Sequence, residues 1–441
     1  MNTDLFPGTA LEALSAQLEG GGLRVASVPV EGDPLELVRS GAALFATCAY
    51  FGLPGGEELG GLGAAWRYQT SGPARFEHLA DQVEALSRGS DRLPVLFGSS
   101  FSADGPRTAE WDGFPSATAL VPSVTLVRDE AGARLLVAVP PGRPAGQVLE
   151  VVGRLQQVPP PQRPAAANLR LEARPPIDAW LEKVDEAVAA VESGSLRKVV
   201  LARSVVVGSP RPPAAFDLVA RLRDAHPGCY AFGWQEGAST FIGASPELLA
   251  ARRGLEVRSH PLAGSAPRGE GEEEDARLGA GLLGSGKDRL EHALVVEDVA
   301  ARLRPFVEEL RVSPQPVVRK MANVQHLSSE VSGRLAAPRS LLRLVGDLHP
   351  TPAVGGTPRD ESLAFIEKVE GLDRGWYSGG LGSMDADGNG QAVVALRCAL
   401  LRRAESRLYA GAGIVSGSDP EAELAETRLK LRPLLDLLAA T

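Results

Sequence analysis

FIGASPELLAARRGLEVRSHPLAGSAPR, residues Phe241 to Arg268, contains two apolar runs that each end in a stiff turn, and the rest of the chain is read outward from it. Phe241-Ile242-Gly243 reads as the end of a strand. Ser245-Pro246 makes a sharp corner, because proline locks φ and restricts the residue before it, so the carboxylate of Glu247 is held rather than free. The second run, Leu255 to Ser259, leads into Pro261-Leu262-Ala263-Gly264-Ser265, where Gly264 lets the backbone bring N–H groups up to an anion. Taken alone, such a stretch is more often a strand–turn–strand with a surface glutamate.

The whole chain narrows the choice. At 441 residues, 44% hydrophobic and 23% charged, it has a globular composition and length enough for two or three domains or one large composite domain. A formal charge of −9 argues against a nucleic-acid partner, which needs a basic face. An anionic small substrate must then meet a local positive pocket. Cys48, Cys229 and Cys398 lie far apart and match no metal-ligand spacing, so a reducing, cytoplasmic location is expected. The start, MNTDLFPGTALEAL, lacks a basic segment followed by an apolar core, and no run of eighteen apolar residues occurs. A soluble protein with no membrane partner is expected.

Residues 1–170 read as scaffold: a helix at Ala10–Gln17, strands near Leu23–Val28 and Ala43–Phe51, a glycine-rich turn region at Pro54–Gly63, a helix at Phe76–Leu86, and strands at Val95–Phe101, Thr118–Val127 and Leu135–Val139. Val158 to Pro164 reads as an extended linker or surface crossover. The chemistry falls in residues 175–437. Pro176–Val191 has helical spacing, and Leu196–Val207 is β-branched enough for a buried strand that carries Lys198. A lysine at a strand start usually snorkels to the surface; desolvated, it becomes a general base.

Gly281 to Asp288 nearly spells a phosphate-binding P-loop, but Asp288 stands where a Ser or Thr is required and Gly269–Arg277 reads as acidic and flexible where a strand is required. Asp288–Val307 has helical spacing with an apolar stripe of Leu290, Ala293, Leu294, Val299 and Leu303, and Glu291 and His292 ride in its first turn. His326 and His349 are each, alone, more often structural. Trp376–Gly382 and Ala392–Leu401 read as paired strands joined by the Asp385–Gly390 turn, with Arg397 inside the second and in need of a partner such as a carboxylate ligand. Tyr409–Val415 is a strand whose Gly411 and Gly413 expose N–H groups, and Ser418-Asp419-Pro420 starts a helix. Glu423, Glu426 and Lys430 share one face of that helix. Such a face is usually solvated, yet with Glu291 it supplies converging carboxylates of the kind that hold Mg²⁺ with retained waters.

The motifs KVVLAR, GASPELL, PLAGSAPRG, KDRLEH, VQHL, LHPTPAV, RGWYSG, VALR and GAGIVSGSDPEAELAET, spread over residues 196–430, resemble those of the chorismate-using synthases: the isochorismate, salicylate, anthranilate and aminodeoxychorismate synthases. The resemblance implies one composite α/β (α+β) domain over 1–441, two large antiparallel sheets sandwiched together with helices outside. It implies Lys198 as the base that activates water for attack on carbon 2 of chorismate, and Glu247 as the acid that protonates the hydroxyl leaving carbon 4. It implies Mg²⁺ on Glu291 and Glu426, supported by Glu423 and Asp288. Tyr377, Arg397 and the N–H groups of a Gly411–Gly413 turn would hold the enolpyruvyl carboxylate, while Gly264, Ser265 and His326 line the ring side and Lys430 adds a substrate contact.

Product choice rests on fewer residues. Pro352-Ala353-Val354 is similar to the isochorismate synthases, whereas salicylate synthases tend to place threonine where Ala353 stands. Ala263 occupies the place of the lysine nucleophile of aminodeoxychorismate synthases, and no amino-terminal tryptophan-binding signature is present. Ser265 and Leu381-Gly382-Ser383-Met384 depart from the common pattern. The resemblance therefore implies isomerisation of chorismate to isochorismate for menaquinone or siderophore synthesis. Salicylate synthase is the alternative, followed by an amine-forming synthase or a non-catalytic homologue. No glutaminase subunit is expected, and the chain is expected to be a monomer or weak dimer.

Overall fold

The buried strand read from the sequence is Lys198–Gly208, apolar almost throughout because both of its faces are covered. The computed structural model describes residues 5–18, 22–87, 93–157 and 169–439; the Val158–Pro164 segment lies outside them. Lys198–Gly208 pairs antiparallel with Glu405–Ile414 in a sheet of twelve strands. A nine-stranded antiparallel sheet packs against it, as expected, and a separate three-stranded sheet of Leu262–Pro267, Val317–Lys320 and Val324–Ser328 stands beside them. Strands from the first 140 residues enter both large sheets: Thr47–Gly52 and Glu58–Leu62 the larger, Val95–Ser99 and Ala117–Val121 the smaller.

The interior between the sheets is aromatic. Trp111, Phe114, Phe232, Trp234, Phe241 and Trp376 fill it, with Trp376 edge-on to Phe114 at 5.1 Å and to Trp234 at 5.2 Å between centroids. Helices cover the outer faces, Ala215–Ala225 and Pro34–Gly41 on the large sheet and Arg75–Ser87, Gly286–Leu303 and Leu341–Leu348 on the smaller.

Two corners carry the chain from one sheet to the other. Ser239–Ser245 belongs to the large sheet and Leu248–Arg253 to the smaller, with Pro246-Glu247 between them. Gly390–Val394 and Cys398–Arg402 make the return crossing through Ala395-Leu396-Arg397. The corners are tied together: Ser245 Oγ donates to Val394 O (2.5 Å), Val394 N to Glu247 O (3.2 Å) and Ala244 N to Arg397 O (3.2 Å).

Several sequence expectations are corrected. Pro54–Gly63 contains the strand Glu58–Leu62; its glycines are there for space, since a Cβ on Gly60 would fall 2.0 Å from Pro34 O and one on Gly61 2.4 Å from Pro122 Cγ. Thr118–Val127 is two strands, broken at Pro122-Ser123. The acidic run is no flexible loop: Glu272–Asp275 form the first turn of the helix Glu272–Gly284, where carboxylates favour the helix dipole. Trp376–Gly379 is a turn, and the strand starts at Gly380. On the helix Gly286–Leu303, Leu290 is 45% exposed and Ala293 is exposed, while Glu291 and His292 are buried.

Candidate active site

Lys198 is fully buried at the start of its strand, and Nζ lies 2.9 Å from Glu291 Oε1. Nζ has no hydrogen-bond partner among the described residues, Glu291 being a contact at ion-pair distance only. Glu291 reaches it because Ser285 caps its helix, accepting from Asp288 N at 3.2 Å, which sets the first turn over the strand end. Gly413 leaves room for the pair: a Cβ there would fall 2.1 Å from Glu291 Oε1 and 3.0 Å from Lys198 Cε.

Glu247, 3% exposed on its corner, is within electrostatic reach of Lys198 and Arg397. Burial raises its carboxyl to about 7, against the lowering pull of Lys198, Arg397, the Leu262 N–H and Lys430. It therefore exchanges a proton near neutrality.

Arg397 is on the second corner, not inside a strand, with φ of 49° in the left-handed region, a strained position for a non-glycine residue. That turn aims the half-buried guanidinium at His326, to whose Nε2 Nη2 donates at 2.8 Å. Arginine cannot accept, so Nε2 is the bare nitrogen and Nδ1 carries the proton, donated to Gly264 O at 3.0 Å. Burial and Arg397 push His326 down to about 3, so it is a neutral orienting group. Ser265 Oγ lies 3.2 Å from the same Nδ1 and donates to Glu426 Oε1 at 3.1 Å.

Gly411 and Gly413 are in the strand Glu405–Ile414, not a turn. Their partners Ala202 and Val200 send their own N–H groups to Glu370 Oε2 (2.7 Å) and Gly355 O (2.8 Å), away from the pair. Alternation in an antiparallel ladder then turns the Gly411 and Gly413 N–H groups away from Lys198–Gly208. A Cβ on Gly411 would fall 2.9 Å from the Tyr377 hydroxyl, which places the buried Tyr377, stacked on Tyr409 at 5.2 Å, beside this edge.

Glu423 and Glu426 are each held by a lysine. Lys287 Nζ is 2.5 Å from the buried Glu423; Lys430 pairs with Glu426 and donates to Gly411 O at 2.9 Å. Burial raises Glu423 and its neighbour Glu426 raises it further, while for Glu426 burial is outweighed by Lys430, and its carboxyl is lowered. Asp288, against Gly264, is raised by burial and by Glu291 and Glu426. Among the described residues no three of these groups stand close enough to form a metal cage. The all-carboxylate donor set nonetheless fits a hard cation that takes one or two protein oxygens and keeps its waters.

Ala353 and Val354 stand beside the site rather than in the cluster: they precede Gly355, whose carbonyl accepts from Val200 N two residues along the strand from Lys198. Sequence reasoning missed the buried pair Glu370–Arg374. Glu370 accepts from Ala202 N, while Arg374 donates to Val200 O (2.8 Å) and Val354 O (2.7 Å), clamping the strand that presents Lys198. Its sequence signals are the (i, i+4) spacing of Glu370 and Arg374 and the place of Arg374 as the first residue of the RGWYSG motif. The cavity of about 620 Å³ opens elsewhere, and that of about 650 Å³ touches the site only through Glu370 and Arg374.

The cluster thus brings together a buried acid, a buried lysine and a guanidinium oriented by His326. Comparison gives the family. The chain matches the chorismate binding enzyme family over residues 11–439 and belongs to it. It is 36% identical to the salicylate-biosynthesis isochorismate synthase of Pseudomonas aeruginosa, over 92% of this chain and 88% of that one. It is 32% identical to the isochorismate synthase MenF of Bacillus subtilis, over 92% and 91%. Among solved structures, the menaquinone-specific isochorismate synthase MenF of Escherichia coli superposes with a TM-score of 0.85 at 29% identity, covering 98% of this chain and 99% of that one. No helix among the described residues is long and apolar enough to cross a membrane.

Proposed function

We propose that the protein is a Mg²⁺-dependent isochorismate synthase that adds water at carbon 2 of chorismate and expels the carbon 4 hydroxyl, feeding menaquinone or siderophore synthesis in the cytoplasm. The observation that carries this is the buried Glu247, poised to about 7 within electrostatic reach of Lys198. Lys198 takes the proton of the attacking water, and Glu247 gives its proton to the departing hydroxyl. One proton is taken and one given, so the product is an isomer of the substrate. Arg397, fixed by neutral His326, holds a substrate carboxylate with Tyr377 and the turned-out N–H groups of Gly411 and Gly413. Gly264 and Ser265 line the ring side, and Lys430 completes the positive wall. Glu291 and Glu426 would hold Mg²⁺, with Glu423 and Asp288 in support, and the ion would neutralise the ring carboxylate. Lys198, Glu247 and Arg397 together disfavour a non-catalytic homologue, and Ala263 leaves no lysine for an amine-forming reaction.

The test is incubation of pure protein with chorismate and Mg²⁺, with products separated by chromatography. Isochorismate as the main product, with no aromatic amine from ammonia or glutamine, is expected. Salicylate as the main product at neutral pH would overturn the assignment.

A further inference from the structure

The cavity of about 650 Å³ is lined by Arg75, Phe101, His349, Arg359, Glu370 and Arg374, among others, and meets the candidate active site only at the Glu370–Arg374 clamp. Its charges do not balance. Three of the acids in its wall are engaged: Glu370 with Arg374, Glu367 with Arg107 at 2.8 Å, and Asp373 with the N–H groups of Arg107 (2.6 Å) and Thr108 (2.7 Å). Asp360 sits exposed at the rim, and Asp104 and Glu77 act on Arg75 only through space.

Arg75 and Arg359, by contrast, meet no carboxylate at ion-pair distance among the described residues. Arg75 is only 4% exposed, reaches Ser100 O at 3.3 Å, and its Nε has no partner. Arg359 is half-buried and donates to His349 O. His349, 2% exposed, has an unpartnered Nδ1. Burial first, and then the nearby Arg359, depress Arg75 to about 10 against the weaker raising pull of Asp104 and Glu77. The helices Arg75–Ser87 and Arg359–Val369 both start at this cavity and add their N-terminal dipoles. Phe76, Phe101 and Leu363 supply an apolar wall.

We propose that this cavity is a second, non-catalytic binding site for a small carboxylate with an apolar, ring-sized body. Two guanidiniums lining one cavity with no carboxylate at ion-pair distance, only Asp104, Glu77, Asp298 and Asp360 acting through space, are costly unless an anion joins them. The occupant would be felt at the catalytic strand, because Arg374 stacks on Phe101 at 4.2 Å while donating to Val200 O, two residues from Lys198. Any effect of the anion on chorismate affinity must be returned by chorismate on the anion.

Benzoate serves as the probe, followed by calorimetry and by the unfolding temperature of the full chain. Benzoate should bind the wild type and Arg397→Gln alike, and Arg359→Gln should weaken it by about tenfold or more, the worth of one charge-assisted hydrogen bond. Arg359→Lys should retain part of the affinity. Wild-type binding in Arg359→Gln, or loss in Arg397→Gln with retention in Arg359→Gln, overturns the site. If Arg397→Gln does not fold, chorismate kinetics decide: an effect of benzoate on KM or kcat that is lost in Arg359→Gln supports the cavity, and the same effect in Arg359→Gln overturns it. Inorganic phosphate binding as tightly as benzoate overturns the role given to the apolar wall.

Discussion

Gly413→Ala tests the site through its tightest contact. The added methyl would stand 2.1 Å from Glu291 Oε1 and 3.0 Å from Lys198 Cε, where a relaxed contact needs roughly 3.5 Å. The carboxylate must retreat by about 1.4 Å, and a misplacement of about 1 Å already costs on the order of a hundredfold in rate. Gly413 lies in regular strand and is not among the residues with positive φ, so backbone strain adds nothing. Overpacking costs about 1–3 kcal/mol, and removing a glycine from a strand returns about 0.5–1 kcal/mol. The chain should therefore stay folded, with Tm lowered by a few degrees. The assay is isochorismate formation beside thermal unfolding, with Gly146→Ala as control, since a Cβ there meets nothing within 4 Å. Adding Glu291→Asp to Gly413→Ala withdraws the carboxylate by one methylene and should recover part of the lost stability. A Gly413→Ala enzyme with unchanged kcat and Tm would refute the placement of Glu291 and Lys198 around this glycine.

Lys198→Ala and Glu247→Gln should each lower kcat by roughly a hundredfold or more, with a smaller change in KM; a raised KM with intact kcat for Lys198→Ala would make it a binding residue. Because burial raises Glu247 to about 7 from an ordinary value near 4.5, the protonated acid is favoured in the fold. Its stabilising contribution is present at low pH and is lost as pH rises through about 7. Turnover should fall over the same window, with an alkaline limb that disappears in Glu247→Gln. Glu291→Gln and Glu426→Gln should leave folded proteins of little activity and weakened Mg²⁺ binding by calorimetry; near-normal turnover in either would remove it from the metal site. Glu370→Gln leaves Arg374 buried without its anion and should cost about 3–5 kcal/mol in denaturant unfolding. A loss below 1 kcal/mol would show that the clamp is not stabilising.

Much of the site was legible because its causes are local. Proline before Glu247 makes the corner whatever the rest of the chain does, and the apolar spacing from Asp288 onward marks a helix. The order of the motifs was enough for the family. Spacing misled where the buried face was chosen by a distant partner. The helix Gly286–Leu303 turns Glu291 inward and leaves Leu290 in water because Lys198, far away in sequence, stands opposite. The strand read at Tyr409–Val415 holds, but the Gly411–Gly413 turn implied by the resemblance is strand backbone, whose glycines leave space for the side chains of Tyr377 and Glu291.

The sequence by itself determined the strand and helix types, the proline corner at Glu247, the antiparallel sandwich implied by the motifs, and the residues able to carry acid–base chemistry. Only the tertiary structure decided that two sheet-to-sheet corners bring Glu247 and Arg397 together, that His326 is neutral with its proton on Nδ1, and that Glu370 and Arg374 clamp the Lys198 strand. The physical reason is range. Turns and caps act over a few residues, whereas burial, ion pairing and the space for a side chain depend on which distant segments the packed sheets set side by side.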